Sequence, residues 1–193
     1  MTHHTDLFVA LGPPGSGKGT QATLVSKHLS LVHLSSGEVF REAMAKNTAF
    51  GAMARPFVER GELAPDDIAC GAMIEKIKEL HQDEGRGTLL DGFPRTVPQA
   101  ELLDLRLGEL FLYLRVVIFL EVSDEEIFGR AAIRGRQDDD PGIVRHRIEV
   151  YRRQTMPLLD YYEARGILLR VNGEQSVEDV TRDILNEIGA FTK

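Results

Sequence analysis

The chain has 193 residues and a formal net charge of −7, and 42% of its residues are hydrophobic. These values suit one globular domain with a substantial core. The acidic balance argues against nucleic acid or an anionic membrane surface as the main partner. No apolar run approaches the roughly 20 residues that span a bilayer, and we expect no secretory signal. The single cysteine, Cys70, excludes an internal disulfide and a cysteine-based zinc site, so we expect a cytoplasmic protein.

The most informative stretch lies near the amino terminus. An apolar run, Leu7–Leu11, predicts a buried strand; a glycine-rich loop, Gly12–Thr20, follows it, and a helical pattern comes next. Strand, loop and helix N-terminus in this order form a socket for a polyphosphate. Lys18 would place its charge near the β- and γ-oxygens. Gly19 takes the place directly after the lysine, where the general pattern has Ser or Thr, and the hydroxyl comes one residue later, at Thr20.

Five short apolar runs alternate with helical patterns along the chain. They are Leu7–Leu11, Leu31–Leu34, Thr88–Leu90, Val116–Val122 and Ile167–Val171. This alternation predicts an α/β fold with a five-stranded parallel sheet and helices on both faces. In such sheets ligands bind beyond the carboxyl ends of the strands. We therefore expect the functional residues in the loops that follow these runs.

Two of these loops contain acidic residues near the predicted phosphate socket. After the second run, the sequence Ser-Ser-Gly-Glu (35–38) opens a long helical insertion that ends near Leu63. Ser35 and Glu38 have the spacing of a capping box, and Glu38 is equally consistent with a place near bound magnesium. Asp91 ends the third run, where a carboxylate can reach magnesium or its water shell. Arg95, four residues later, could hold an anion in the same cleft.

Arginines are concentrated between residues 130 and 153. They are Arg130, Arg134, Arg136, Arg145, Arg147, Arg152 and Arg153. Arginine binds phosphate in a bidentate manner, so this cluster in an acidic chain predicts a small anionic ligand. Residues 134–140 are charged and contain a glycine, which is typical of a mobile flap.

Taken in order, these motifs resemble those of the nucleoside monophosphate kinases, and most closely those of the adenylate kinase family. The similarity rests on residues 12–21, residues 35–41, residues 91–96 with Gln99, the arginines from 130 to 147, and residues 155–162. It implies a P-loop NTPase-like fold and a single kinase domain over residues 1–193. Within that domain it implies a helical monophosphate-binding insertion at residues 35–64 and a short, zinc-free lid at residues 131–141.

The resemblance also implies a reaction, its cofactor and its partners. MgATP would pass a phosphoryl group reversibly to AMP, giving two ADP, with Mg²⁺ as cofactor. The protein would be a monomer with ATP, AMP and ADP as its small-molecule substrates. It would have neither nucleic acid nor a membrane as a partner. The catalytic charges would be Lys18, Arg95, Arg134, Arg136 and Arg147. Glu38 and Asp91 would hold the water shell of the magnesium ion.

Binding residues follow from the same resemblance. Those for ATP would be Gly15, Ser16, Gly17, Lys18, Gly19, Thr20, Arg130, Arg134 and Gln175. Those for AMP would be Ser36, Arg41, Glu62, Leu63, Ala64, Gly92, Phe93, Pro94, Arg95, Gln99, Arg136 and Arg147. In the family pattern Thr stands in place of Ser36 and Asp in place of Glu38.

Two other functions remain open at this point. A UMP/CMP kinase shares the scaffold, although Thr96 and Gln99 are similar to the adenylate type. A nucleotide-dependent switch that has lost catalysis would keep the phosphate loop. All the charged groups that the transfer needs are present in the sequence, which favours an active enzyme.

Overall fold

The computed structural model describes residues 5–83, 86–134 and 140–191. Its strands are β1 (Thr5–Leu11), β2 (Val32–Ser35), β3 (Thr88–Asp91), β4 (Leu112–Glu121) and β5 (Leu168–Asn172). Its helices are α1 (Lys18–Leu29), α2 (Ser36–Ala45), α3 (Ala49–Glu59), α4 (Asp66–Asp83), α5 (Val97–Glu109), α6 (Asp124–Arg134), α7 (Pro141–Gln154), α8 (Pro157–Glu163) and α9 (Val177–Phe191). Within these ranges, no helix has both the length and the apolar character needed to cross a bilayer.

The five strands form one parallel sheet in the order β2-β3-β1-β4-β5, which confirms the predicted fold class. β4 begins at Leu112, four residues before the predicted run. Its first half alternates buried residues with the exposed Tyr113 and Arg115, and its second half is buried almost throughout. A continuous apolar run indicates a strand that is covered on both faces. Only the second half of β4 has such a run, so the sequence analysis predicted that half alone.

Helices cover both faces of the sheet because successive side chains of a strand point to opposite sides. On β1, Leu7, Val9 and Leu11 pack with residues of α4, α5 and α8. Phe8 and Ala10 face the other way and pack with residues of α1 and α9. These five side chains are at most 4% exposed. The central strand is thus fixed from both sides, and its carboxyl end leads directly into the glycine-rich loop.

The predicted helical insertion consists of two helices, α2 and α3. The Thr48 hydroxyl caps α3 by accepting a hydrogen bond from the Gly51 amide at 3.0 Å. A Cβ at Gly51 would lie 2.1 Å from the Ala43 carbonyl oxygen, so a glycine is needed where α3 turns back against α2. The capping-box interpretation of Glu38 is wrong. Ser35 is the N-cap residue of α2, but its side chain makes no capping hydrogen bond.

Candidate active site

The glycine-rich loop has the backbone shape of an anion-binding site. Gly15 and Gly17 have φ angles of 85° and 90°, and Gly17 is the N-cap residue of α1. These angles favour glycine and let successive amides turn toward one point at the positive end of the helix dipole. Lys18 Nζ donates to the Pro13 carbonyl at 3.3 Å, so the ammonium group lies over its own loop. Ser16 is 1% exposed, and its hydroxyl has no partner among the described residues.

Arg130 connects this loop to the opposite part of the sheet. Its guanidinium donates to the carbonyls of Ser16 at 2.9 Å and Gly173 at 2.7 Å, and to the Glu126 carboxylate at 2.7 Å. Gln175 lies just beyond Gly173, after β5, and its amide donates to α9 and to the end of that strand. The structure therefore brings the predicted ATP-binding residues of three separate segments to one end of the sheet.

Asp91 lies against the start of α1. Its Oδ2 is 3.7 Å from His33 Nε2, and a Cβ on Gly19 would lie 3.3 Å from the same oxygen. Burial alone would raise the pKa of Asp91, but the contact with His33 and the charges of Lys18 and Arg95 outweigh burial and lower the pKa. The side chain is therefore an ionised carboxylate beside the phosphate loop. Its other oxygen, Oδ1, is buried and has no hydrogen-bond partner among the residues described.

The same neighbourhood bears on one departure of the sequence from the general phosphate-loop pattern. A Cβ at position 19 would make a tight contact with the Asp91 carboxylate, which favours glycine directly after the lysine. His33 was missed by the sequence analysis. The signal for it was weak, because a single histidine in a short apolar strand does not reveal which neighbour it faces. Glu38 lies exposed in the first turn of α2.

A cavity of about 870 Å³ lies between the helical insertion and the loop after β3. Ten of the twelve residues predicted to bind AMP line it; Pro94 does not, and Arg136 lies outside the described residues. The sequence analysis missed four apolar residues of its wall: Phe40 on α2, Val58 on α3, Ala69 on α4 and Ile143 on α7. The Phe40 ring packs against Phe50, with 5.0 Å between the ring centroids. A cavity of this size with an apolar wall and polar groups suits a mononucleotide.

One end of this cavity is strongly basic. The Gly92 carbonyl accepts hydrogen bonds from Arg95 Nε and from the Ser36 hydroxyl, each at 2.7 Å. Burial lowers the pKa of Arg95, and the positive charges of Arg147 and Arg41 lower it further. Three guanidinium groups that repel one another in a partly buried space are preorganised for an anion, and phosphate fits their geometry.

A smaller cavity of about 50 Å³ joins this basic end to the phosphate loop. Lys18 lines it from the loop side, and Arg95 and Arg147 line it as well as the larger cavity. Pro94, which is absent from the lining of the larger cavity, contacts this smaller one. The arrangement can therefore hold two phosphate chains end to end, one from the α1 side and one from the insertion side.

Two predicted catalytic residues are not placed by the structure. Arg136 lies outside the described residues, and of Arg134 the backbone alone is described, at the end of α6. Of the predicted lid, residues 131–141, residues 135–139 also lie outside the described residues. In the parts of the chain that are described, no group of three or more His, Cys, Asp or Glu side chains could hold a metal ion.

Comparison with known proteins identifies the family. The model of the adenylate kinase family matches residues 10–167. An adenylate kinase of Synechococcus sp. (strain WH7803) is 45% identical over 171 residues, which cover 89% of this chain and 92% of the relative. One of Thermus thermophilus is 43% identical over 185 residues, covering 94% and 96%. Adenylate kinase 1 of Nostoc sp. (strain PCC 7120) is 40% identical over 183 residues, covering 95% and 98%. The chain, with its glycine-rich loop and its arginine-lined cavity, belongs to the adenylate kinase family.

Proposed function

We propose that this chain catalyses the reversible transfer of a phosphoryl group from MgATP to AMP, giving two ADP. The observation that carries the proposal is the small cavity that Lys18 shares with Arg95 and Arg147. It lies where the terminal phosphate of a nucleotide on the loop would meet the phosphate of a nucleotide in the large cavity. Membership of the adenylate kinase family supports the same reaction.

In this proposal the whole chain, residues 1–193, is one kinase domain. Residues 35–64 form the monophosphate-binding insertion, and residues 131–141 form a short lid. A lid that excludes water protects the donor phosphate from hydrolysis. We further propose that the protein acts as a monomer, as the family resemblance implies. The cytoplasm is the proposed location, because Cys70 is a free thiol, which suits a reducing compartment.

The donor side is assigned to the loop and to the segments that Arg130 connects. The loop amides from Gly15 to Thr20 would hold the ATP phosphates, with Lys18 following the transferred group. Arg130 has its edge occupied by three acceptors, which leaves its planar face for stacking on the adenine ring. Gln175 would lie near that ring, and Arg134 would bind the donor phosphates.

The acceptor side is assigned to the large cavity. Arg41, Arg95 and Arg147 would hold the AMP phosphate, together with Arg136. The base would lie among Ser36, Gln99, residues 62–64 and residues 92–94 of the loop. The cavity supports this order, because Arg95 and Arg147 also line the small cavity that Lys18 lines from the loop side.

Phosphoryl transfer needs alignment and charge neutralisation more than covalent help from the protein. Here the arginines and Lys18 would overcome the repulsion between two anionic nucleotides and hold them in line. Mg²⁺, when bound, would neutralise charge on the donor phosphates. Asp91 fits this ion or its water shell, because its ionised carboxylate has a buried oxygen without a partner among the described residues beside the loop. Glu38 would complete the water network.

The decisive experiment is a coupled assay of ADP production with ATP as donor and AMP, UMP, CMP or GMP as acceptor. We expect turnover with AMP to exceed that with the other three. Lys18→Ala tests the site itself, and it should lower turnover by about 10³-fold or more with the fold intact. Preference for UMP or CMP would overturn the proposed acceptor. Tight ATP binding without turnover of any acceptor would instead identify a switch.

A further inference from the structure

Asp66, which is outside the predicted site, is hydrogen-bonded to Gln99, a residue that lines the large cavity. Asp66 is the first residue of α4, and its Oδ1 accepts two hydrogen bonds from the start of α5. One comes from the Thr96 hydroxyl at 2.9 Å, and the other comes from Gln99 Nε2 at 2.7 Å. The Thr96 hydroxyl in turn accepts from the Gln99 backbone amide at 3.2 Å.

The side-chain amide of Gln99 is fixed at both of its ends. Its Oε1 accepts a hydrogen bond from the Arg95 backbone amide at 2.8 Å, while its Nε2 donates to Asp66. A backbone N–H can only donate, and an ionised carboxylate can only accept. If the amide turned over, its oxygen would face the carboxylate and its nitrogen would face an N–H. Gln99 is 2% exposed, so water could not relieve either clash.

A glutamine amide has two N–H donors and two acceptor sites on its oxygen. The contacts with Asp66 and Arg95 use one of each, which leaves one donor and one acceptor for a ligand in the cavity that Gln99 lines. Adenine presents a matching pair, because its 6-amino group donates and its N1 accepts. A 6-oxopurine presents the reverse pair, since its O6 accepts and its N1–H donates. A 6-oxopurine would therefore pair with the Gln99 amide only if the amide oxygen and nitrogen exchanged places.

We propose that Asp66 is a positioning residue that sets the preference for AMP over 6-oxopurine monophosphates by fixing the orientation of the Gln99 amide. This inference rests on the proposed function, because it requires AMP in the large cavity. Asp66 acts through Gln99 and does not line that cavity. Its loss would let the amide turn over with the Arg95 N–H as the remaining restraint. Discrimination against the wrong base would fall because the buried polar groups could then pair with it.

The test compares kcat/KM for AMP and for IMP at saturating ATP. IMP differs from AMP at the 6 position and the N1 proton, so the AMP-to-IMP ratio reports the amide orientation. Asp66→Ala should lower this ratio by about tenfold or more, which corresponds to one hydrogen bond. The KM for AMP should rise more than kcat falls, and the KM for ATP should stay within about twofold. If turnover of IMP is below detection, its Ki against AMP supplies the same ratio.

Two further variants separate positioning from a structural role. In Asp66→Asn the side-chain oxygen can still accept both bonds, so most of the ratio should return. Asp67→Asn is the matched control, since Asp67 is the next residue of α4, is exposed and takes no part in the hydrogen bonds that hold the Gln99 side chain. It should behave as wild type. Asp66→Ser keeps a residue favoured at helix N-termini and serves in place of Asp66→Ala if the alanine variant does not fold.

An unchanged AMP-to-IMP ratio in a folded Asp66→Ala protein would overturn the inference, whatever the loss of total activity. Equal losses with both acceptors would show a structural role alone. If wild-type protein shows no turnover of AMP, the proposed function itself is wrong. That result differs from an active enzyme whose AMP-to-IMP ratio is unchanged by Asp66→Ala, which would overturn only the inference about Asp66.

Discussion

Replacement of Arg95 by alanine tests the basic end of the acceptor cavity. The Gly92 carbonyl would keep its hydrogen bond from Ser36, and the repulsion with Arg41 and Arg147 would fall. We therefore expect the melting temperature to change by no more than about 3 °C. The phosphate of AMP would lose up to two charge-assisted hydrogen bonds, each contributing about 1.5–3 kcal/mol. The sum of about 3–6 kcal/mol predicts a fall in kcat/KM for AMP of about 10²–10⁴-fold.

The assay measures initial rates of ADP formation while AMP is varied at saturating ATP, and then the reverse. Arg95→Ala should change the KM for ATP by less than about threefold, because the loop and Arg130 hold the donor. Arg95→Lys should recover part of the loss, since an ammonium supplies the charge without the planar fork. Arg152→Ala is the matched control, because Arg152 is exposed and pairs with Asp124. A rise in the KM for ATP as large as that for AMP would refute this reasoning.

Three further predictions concern stability and reactivity. Gly92→Ala should lower the melting temperature by several degrees in a thermal scan, because φ is 74° and the new Cβ would lie 2.8 Å from the Ser36 hydroxyl, at a cost of about 1–3 kcal/mol. An unchanged melting temperature would contradict the described turn. The pKa of Asp91 is lowered in the folded protein despite burial, so its carboxylate stays ionised there. Its contribution to stability is therefore lost as the pH falls below about 4, the pKa of an unperturbed Asp. In urea titrations, Asp91→Asn should therefore lose less free energy of unfolding than wild type between pH 5 and about pH 3, and parallel curves would contradict the shift. Burial raises the pKa of Cys70 to about 11, so its alkylation by iodoacetamide at pH 8 should be more than about 100-fold slower in native than in denatured protein; rapid native labelling would contradict that burial.

The parts of the fold and the site that could be predicted from the sequence are those with a local signal. The glycines and Lys18 of the phosphate loop follow a buried strand directly, and this order allows few other structures. The first half of β4 was not predicted, because its alternating pattern resembles a surface segment until a neighbouring strand is known. The resemblance to a family supplied the acceptor residues, and ten of them line one cavity.

The errors and omissions have a common physical cause. The capping box at Ser35 failed because this residue also ends β2, where it pairs in register with Asp91 and is 8% exposed. A local rule was overridden there by the requirements of the sheet. Asp66 and His33 were missed because each acts on a residue at least 30 positions away in the chain, so no spacing within a motif reveals the contact.

The short segment that follows β3 has a consequence for how the two nucleotides are spaced. Asp91 lies against the start of α1, whereas Arg95, four residues later, lies in the acceptor cavity. In the proposed function, this stretch of backbone sets the distance between the donor and acceptor sites. Lengthening it by a single residue would leave each site able to bind its own nucleotide, yet it would move the reacting atoms out of line.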